Sequence, residues 1–303
     1  MKTAFVFPGQ GSQKAGMGKD LYDNFEASRK IFDEAGDALG FDLKTLCFEG
    51  PDERLKLTEI AQPAILTVSV AAFAALGKMP DMTAGHSLGE YSALVCAGVL
   101  EFKDAVRLVN KRGKFMQEAV PVGEGAMAAV LGLDREKLAE ALRKASSSGI
   151  VEAANFNSSG QIVISGSAKG VEEAGRLCKE AGAKRVMPLA VSAPFHCSMM
   201  KPAADKLAAE LKNVPFKDAN IPVVTNVTAR PATSGKEIKE LLIKQVTGSV
   251  LWEDSVGWMS EQGIVRFVEI GPGKVLTGLI KKTVENATIY NIEDSASLKE
   301  FSS

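Results

Sequence analysis

An α/β architecture with a mostly parallel sheet, interrupted by an inserted subdomain, is the fold that this chain of 303 residues predicts. Three observations lead there. Short apolar strand-like runs alternate with amphipathic helical stretches at both ends of the chain. Between Gly125 and Ala190 a separate β-α-β-β-α-β order appears. Hydrophobic residues make up 46% of the sequence, ample for one large core, so a single domain with an insertion fits as well as two domains.

The elements follow in order. "TAFVFPGQGSQ" is an apolar β-rich run that opens into a glycine turn, as a buried strand of a parallel sheet does. A helix is expected across Leu21 to Leu39. "EIAQPAILTVSVAAFAALG" reads as a long apolar helix central to the core, stopped by Gly77, with Pro63 tolerated in its first turn. "MTAGH" is a short buried strand, a helix starts at Gly89 and ends near Gly98, and "EFKDAVRLVNKRGKFMQEAV" is an amphipathic helix. In the insertion "AMAAVLGL", "IVEAANF", "QIVISG" and "KRVMPLA" read as strands and "DREKLAEALRKA" and "KGVEEAGRLCKEAG" as helices, which is the ferredoxin-like arrangement. After it, the helices "SMMKPAADKLAAELKN", "KEIKELLIKQV" and "GKVLTGLIKKTV" alternate with the apolar runs "IPVVTNV" and "VRFVEIG". The expected division is residues 1–124 and 191–303 for the main domain and 125–190 for the insert, with a cleft where they meet.

Composition removes several function classes. Lys and Arg number 36 against 37 Asp and Glu, a formal net charge of −1, so no basic surplus points to nucleic acid or to an anionic membrane. No targeting segment is read at the N-terminus and no apolar run is read as reaching membrane-spanning length, so a soluble cytoplasmic protein is expected. Cys47, Cys96, Cys178 and Cys197 lack C-x-x-C spacing and read as free thiols. With His86 and His196 the only histidines, a metal site built on several imidazoles is excluded.

The chemistry concentrates in "MTAGHSLGEYSAL", where Ser87 stands between glycines as G-x-S-x-G, after a strand and before a helix. A turn that tight forces the serine into a strained conformation, exposes its hydroxyl and aims the helix's first amides at an oxyanion. The alternative is a chance match in a buried turn. A serine nucleophile needs a base within reach. His86 adjoins Ser87 and should point away from the hydroxyl, whereas His196, in the loop "VSAPFHCSMM", can face back into the cleft. No acidic residue stands out to orient it. Arg112 in "NKRGKFMQ" reads, on its own, as part of a solvated basic face with Lys111 and Lys114, and Gln10 as a polar loop residue.

Taken together, "FVFPGQGSQ", "GHSLGEYSALVCAGVL", "RGKFMQEAVP", "EAANFNSSGQIVISG", "SAPFHCSMM" and "VEIGPGKVLTGLIKK" closely resemble bacterial malonyl-CoA:acyl carrier protein transacylases of fatty acid synthesis, nearly end to end and in the same order. The resemblance implies an α/β-hydrolase-like main domain with a ferredoxin-like insert. It also implies Ser87 as nucleophile, His196 as base, and the Gln10 and Leu88 amides as oxyanion hole. Arg112 maps to the partner of the malonyl carboxylate, and the main-chain carbonyl of Gln245 to the group that orients the histidine. If only that carbonyl acts, alanine at 245 should be tolerated. Phe195 matches the malonyl-selecting pattern, and Met116, Asn157 and Gln161 are further substrate-lining residues. One departure lies beside Gln245: the family usually carries Asn-Pro where Gly248 and Ser249 stand. The implied partners are malonyl-CoA and holo-acyl carrier protein, with no metal or bound cofactor and a monomeric chain. A thioesterase of the same fold and a silent carrier-docking scaffold are the rivals; a carboxylate clamp at Arg112 argues against the first, and intact Ser87 and His196 against the second.

Overall fold

The computed structural model describes residues 1–191 and 193–302. The strands in chain order are β1 (Lys2–Phe7), β2 (Met82–Gly85), β3 (Gly125–Leu131), β4 (Val151–Ser158), β5 (Gln161–Ser167), β6 (Arg185–Pro188), β7 (Val223–Val224), β8 (Pro231–Ala232), β9 (Ile264–Ile270) and β10 (Thr288–Ile292). Two sheets result, one ordered β10-β9-β1-β2-β7-β8 and one ordered β4-β5-β3-β6. The first is parallel from β10 to β7, and β8 pairs antiparallel to β7. The second is antiparallel throughout.

The parallel sheet explains the continuous apolar runs. Strands β1 and β2 are covered on both faces, so Ala4 to Phe7 and Met82 to Gly85 are all buried. Because both strands point the same way, their C-terminal ends lie side by side and release two loops, after Phe7 and after Gly85, toward one edge of the sheet. The antiparallel sheet is tied to the rest of the protein where residue 250, outside either sheet, meets β4: Phe156 donates to the Val250 carbonyl at 2.9 Å and Val250 to the Ala154 carbonyl at 2.8 Å. At the departure noted beside Gln245, the Ser249 hydroxyl donates to the Ala153 carbonyl at 2.6 Å, adding a further bond to β4 at the same place.

Two helices carry the interior. Thr58–Leu76 is buried along most of its length and ends at Gly77, whose φ of 61° is the left-handed conformation of a helix C-terminus. The sequence reading that no apolar run reaches membrane-spanning length is corrected here: this helix is long and apolar enough, and 78% of its apolar window is buried inside the protein. Pro63 is also one turn further in than the sequence suggested. Lacking an N–H, it leaves the Glu59 carbonyl four residues back without its helical donor, and Asn110 of the helix Phe102–Glu118 supplies one, Nδ2 to O at 2.8 Å. The two helices meet closely at Gly113, where a Cβ would lie 2.5 Å from the Thr58 carbonyl oxygen. Arg112, one residue earlier, is thereby held on the inner side.

The single helix expected over Leu21 to Leu39 is two, Lys19–Asn24 and Glu26–Leu39, separated by Phe25 in an extended conformation. The Asn24 side chain donates to the Asp20 carbonyl at 2.8 Å, a local bond that competes with helix continuation.

Replacing Asn110 with alanine strands the Glu59 carbonyl and should lower stability by about 1–3 kcal/mol. The check is a lower denaturant midpoint at unchanged slope; an unchanged midpoint would mean that water takes the place of the amide.

Candidate active site

Ser87 lies at the C-terminal end of β2 with φ 52°, a left-handed conformation that a non-glycine residue rarely holds. The flanking glycines make it possible by contact. A Cβ at Gly85 would fall 1.9 Å from the Gly89 carbonyl carbon, and one at Gly89 would fall 2.0 Å from the Phe7 carbonyl oxygen. Gly9 in the β1 loop has the same constraint, its Cβ position lying 2.4 Å from the His86 carbonyl oxygen, so that loop rests directly on the elbow. A side-chain amide staples the turn: Ser87 N–H donates to Asn226 Oδ1 at 2.7 Å, and Asn226 Nδ2 donates to the Gly85 carbonyl at 2.6 Å. Among the described residues, the amides of Gln10 and Leu88 have no acceptor within the chain. Leu88 precedes the helix Gly89–Cys96, and Gln10 follows β1.

His196 sits in the loop after β6 with φ 59°. Its Nε2 is 2.7 Å from Ser87 Oγ, and its Nδ1 is 2.9 Å from the Gln245 carbonyl oxygen. A carbonyl only accepts, so Nδ1 carries the proton and Nε2 turns its lone pair to the hydroxyl. Burial, and the charge of Arg112 nearby, push the imidazole down to about 3, with the Gln245 carbonyl acting in the opposite direction. The ring is therefore neutral at neutral pH, the form that accepts a proton. His86 turns the other way, as expected from its place beside Ser87: its Nε2 is 2.8 Å from Asn157 Oδ1 and its ring packs edge-on to Trp252.

The solvated-face reading of Arg112 is overturned. Lys111 and Lys114 are exposed, but Arg112 faces inward at 1% exposure. Its Nη1 donates to Gln62 Oε1 at 2.9 Å, and its Nη2 donates to Gln245 Oε1 at 2.9 Å and to Ser87 Oγ at 3.3 Å. The guanidinium carbon lies 5.5 Å from the centre of the Tyr91 ring. Its Nε is buried without a partner among the described residues. A cation desolvated against neutral amides, beside a hydroxyl, has unused donors for an anion.

Gln245 does more than offer its carbonyl. Its buried side chain accepts from Arg112, and its Nε2 faces the Ser87 carbonyl at 3.0 Å, Glu90 Oε2 at 2.9 Å and Asn226 Oδ1 at 3.3 Å. That side chain joins the cation, the elbow and a buried acid, so the carbonyl is not the only group of Gln245 engaged in the site. Glu90, in turn, accepts from the Asn226 amide at 3.0 Å. Sequence reasoning missed Gln62, Glu90 and Asn226. Only Glu90 left a signal, a single acid in the otherwise small and apolar helix "GEYSALVC".

A cleft of about 210 Å³ opens onto this cluster, lined by Gln10, Ser87, Leu88, Arg112, Met116 and Phe195 among others. Asn157 and Gln161 face a neighbouring cavity of about 260 Å³ that shares Gln10, His86 and Asn155 with the first. They are thus not in the Ser87 cleft itself, and Gln161 Oε1 accepts from Lys282 at 3.2 Å. A larger groove, about 810 Å³, runs along the helix Ala168–Glu180 and contains none of these groups.

Comparison with known proteins adds an independent line. A family described as the acyl transferase domain matches residues 4–299. A malonyl CoA-acyl carrier protein transacylase of Bacillus subtilis (strain 168) is 53% identical over 302 residues, covering 98% of this chain and 95% of that protein. One of Escherichia coli (strain K12) is 52% identical over 299 residues, covering 97% of each. Among solved structures, an acyl carrier protein S-malonyltransferase from Vibrio cholerae superimposes with a TM-score of 0.97 at 48% identity over 99% of this chain and 100% of that one. A malonyl-transacylase in complex with a type II polyketide synthase acyl-carrier protein gives 0.96 at 50% identity over 99% and 98%.

The Gln245→Ala variant keeps the carbonyl that meets His196 but leaves Arg112 Nη2 and Glu90 each short of a partner. Stability should drop by about 1–3 kcal/mol, read by thermal melting as a fall of a few degrees. A melting point equal to that of the wild type would show that the side chain is dispensable.

Proposed function

The chain belongs to the acyl transferase family, among its malonyl CoA-acyl carrier protein transacylases, and from that premise we propose how its residues carry a malonyl group from coenzyme A to acyl carrier protein. The observation that carries the reading is a buried, partly unpartnered guanidinium 3.3 Å from a serine hydroxyl that is itself 2.7 Å from a neutral imidazole. That pairing suits an acyl donor with a carboxylate at its far end.

Malonyl-CoA enters with its carboxylate on Arg112 and its thioester carbonyl over Ser87. Ser87 Oγ attacks the carbonyl carbon while its proton passes to His196 Nε2. The carbonyl electron pair moves to oxygen, and the oxyanion is held by the Gln10 and Leu88 amides, which are free to donate. The tetrahedral centre collapses, the C–S bond breaks, and His196 returns the proton to the departing CoA sulfur. The phosphopantetheine thiol of acyl carrier protein then gives its proton to His196 and attacks the malonyl ester, and Ser87 recovers its proton as it leaves. The Gln245 carbonyl keeps Nδ1 protonated throughout and stabilises the imidazolium.

Met116 and Phe195 shape the acyl pocket, and Asn157 and Gln161 line the adjoining cavity through which the thioester arm extends. This course uses side chains and backbone amides only, with no cofactor. All of its groups come from one chain, which supports action as a monomer. Four buried free thiols agree with a reducing cytoplasm, and the product supplies fatty acid synthesis. For the fold, we read the body formed by residues 1–124 and 191–303 as α/β-hydrolase-like, because the serine elbow follows a central parallel strand. We read residues 125–190 as ferredoxin-like, supported by the strand order β4-β5-β3-β6.

Incubated with malonyl-CoA, the wild type should gain the mass of one malonyl group and Ser87→Ala none, with the fold retained. A malonylated Ser87→Ala protein would sink the assignment of the nucleophile.

Arg112→Ala removes a charge-assisted pair and should slow malonyl transfer by about 10²- to 10³-fold, while acetyl transfer stays level or rises. Arg112→Lys should recover only part, since an ammonium lacks the planar fork. Acyl-enzyme formation from each thioester, compared as kcat/KM, decides it; equal losses with both donors would end the case for selection by carboxylate.

A further inference from the structure

Glu90 is used by no step above, yet it is 1% exposed and lies at the end of a hydrogen-bonded chain that begins at Arg112. The Gln245 carboxamide stands between them, its oxygen on the guanidinium and its nitrogen on the Glu90 carboxylate, each at 2.9 Å. An amide held in that orientation carries the polarisation of one charge to the other. Glu90 also accepts from the Asn226 amide, and Asn226 is the residue that staples Ser87.

The ionisable groups around Glu90 are few. Arg112 faces it from the helix Phe102–Glu118, His86 and His196 flank the elbow, and Tyr91 is next to it on its own helix. The strands β1 and β2 and the helices Thr58–Leu76 and Gly235–Thr247 turn only uncharged buried side chains inward.

We propose that Glu90 is the resting counter-charge of Arg112, coupled to it through Gln245, and that whether Glu90 carries a proton sets how strongly the site prefers an acyl group bearing a carboxylate. The inference rests on the reading of Arg112 as the partner of that carboxylate. With Glu90 ionised, an arriving malonyl group places two anions around one cation in a site with little water. With Glu90 protonated, the malonyl carboxylate and Arg112 cancel. Binding of the carboxylate is therefore linked to uptake of one solvent proton by the Glu90 carboxylate, forming an O–H bond and breaking none in the substrate.

The sign follows from the environment. Burial pushes the Glu90 carboxyl up to about 7, opposed by its bonds to Gln245 and Asn226 and by the charge of Arg112. Below that pH Glu90 already holds its proton and the malonyl preference is level. Above it the free site is ionised, the proton must be recruited, and the preference falls.

The test is the ratio of kcat/KM for acylation of the enzyme by malonyl-CoA and by acetyl-CoA, followed from about pH 6 to about pH 9. Titration of His196, Ser87 and the coenzyme is common to both donors and cancels in the ratio. We expect the ratio to fall by roughly 5- to 30-fold across that range. In Glu90→Gln, whose side-chain oxygen still accepts from Asn226 and Gln245, the profile should be level. A level wild-type ratio overturns the proposal, as does a Glu90→Gln ratio with the wild-type slope. Should that variant not fold, calorimetry of the wild type near pH 8, in buffers of different ionisation enthalpy, should show more proton uptake with malonyl-CoA than with acetyl-CoA. Equal uptake overturns it. If Arg112→Ala leaves the ratio unchanged at about pH 6, the clamp reading itself has failed; a ratio that depends on Arg112 but not on pH dismisses only the role of Glu90.

Discussion

Holding a serine at φ 52° between the end of a strand and the start of a helix is the constraint around which the rest of the structure is arranged. Such a conformation costs about 1–3 kcal/mol and persists only when its surroundings leave no alternative. Here they come from three separate parts of the chain. Gly85 and Gly89 allow backbone to touch backbone, Gly9 lays the β1 loop on the turn, and Asn226 binds both sides of it from the turn after β7. The parallel sheet is what brings those parts together, since it aligns the ends of β1, β2 and β7 along one edge.

A second constraint is electrostatic. Arg112 is desolvated, and the cost of burying a cation falls only if its donors are met. In the resting site they are met only in part, by the neutral oxygens of Gln62, Gln245 and Ser87, with Nε left unpartnered among the described residues and Glu90 one amide further away. The same charge helps to keep His196 deprotonated and poised to take a proton. One guanidinium thus influences the protonation state of the base and, on the reading proposed for it, meets the carboxylate of the acyl donor, so the groups that hold it in place bear on both.

The insert completes the site from the other side. His196 lies in the loop that follows β6, and its contact with the Gln245 carbonyl joins that loop to the helix Gly235–Thr247, while residue 250, just beyond the helix, is tied to β4. His196 is held by a main-chain carbonyl, not an acid, and this agrees with the absence of any acidic candidate for that role in the sequence. Gly248 and Ser249, the departure beside Gln245, leave the carbonyl contact at 2.9 Å, and Ser249 gains a bond to Ala153.

What the sequence determined by itself was whatever depends on short range. Period and glycine spacing marked β1, β2, the elbow and the strand-helix order of the insert, because strands, tight turns and amphipathic faces are local properties. The break at Phe25 and the depth of Pro63 in its helix escaped it, since each turns on one side chain's choice of hydrogen-bond partner. Trp252–Glu261 and the short, half-exposed β10 escaped it as well, for neither has a clean period. Ser87 and His196 were legible because motif and scarcity singled them out; Arg112 on its own looked like a surface cation beside two lysines. Its burial, the bridging side chain of Gln245, the staple at Asn226 and the burial of the Glu90 carboxyl were decided only by tertiary structure. Those groups lie between 19 and 155 positions apart, and no local pattern records that folding has removed the water between them.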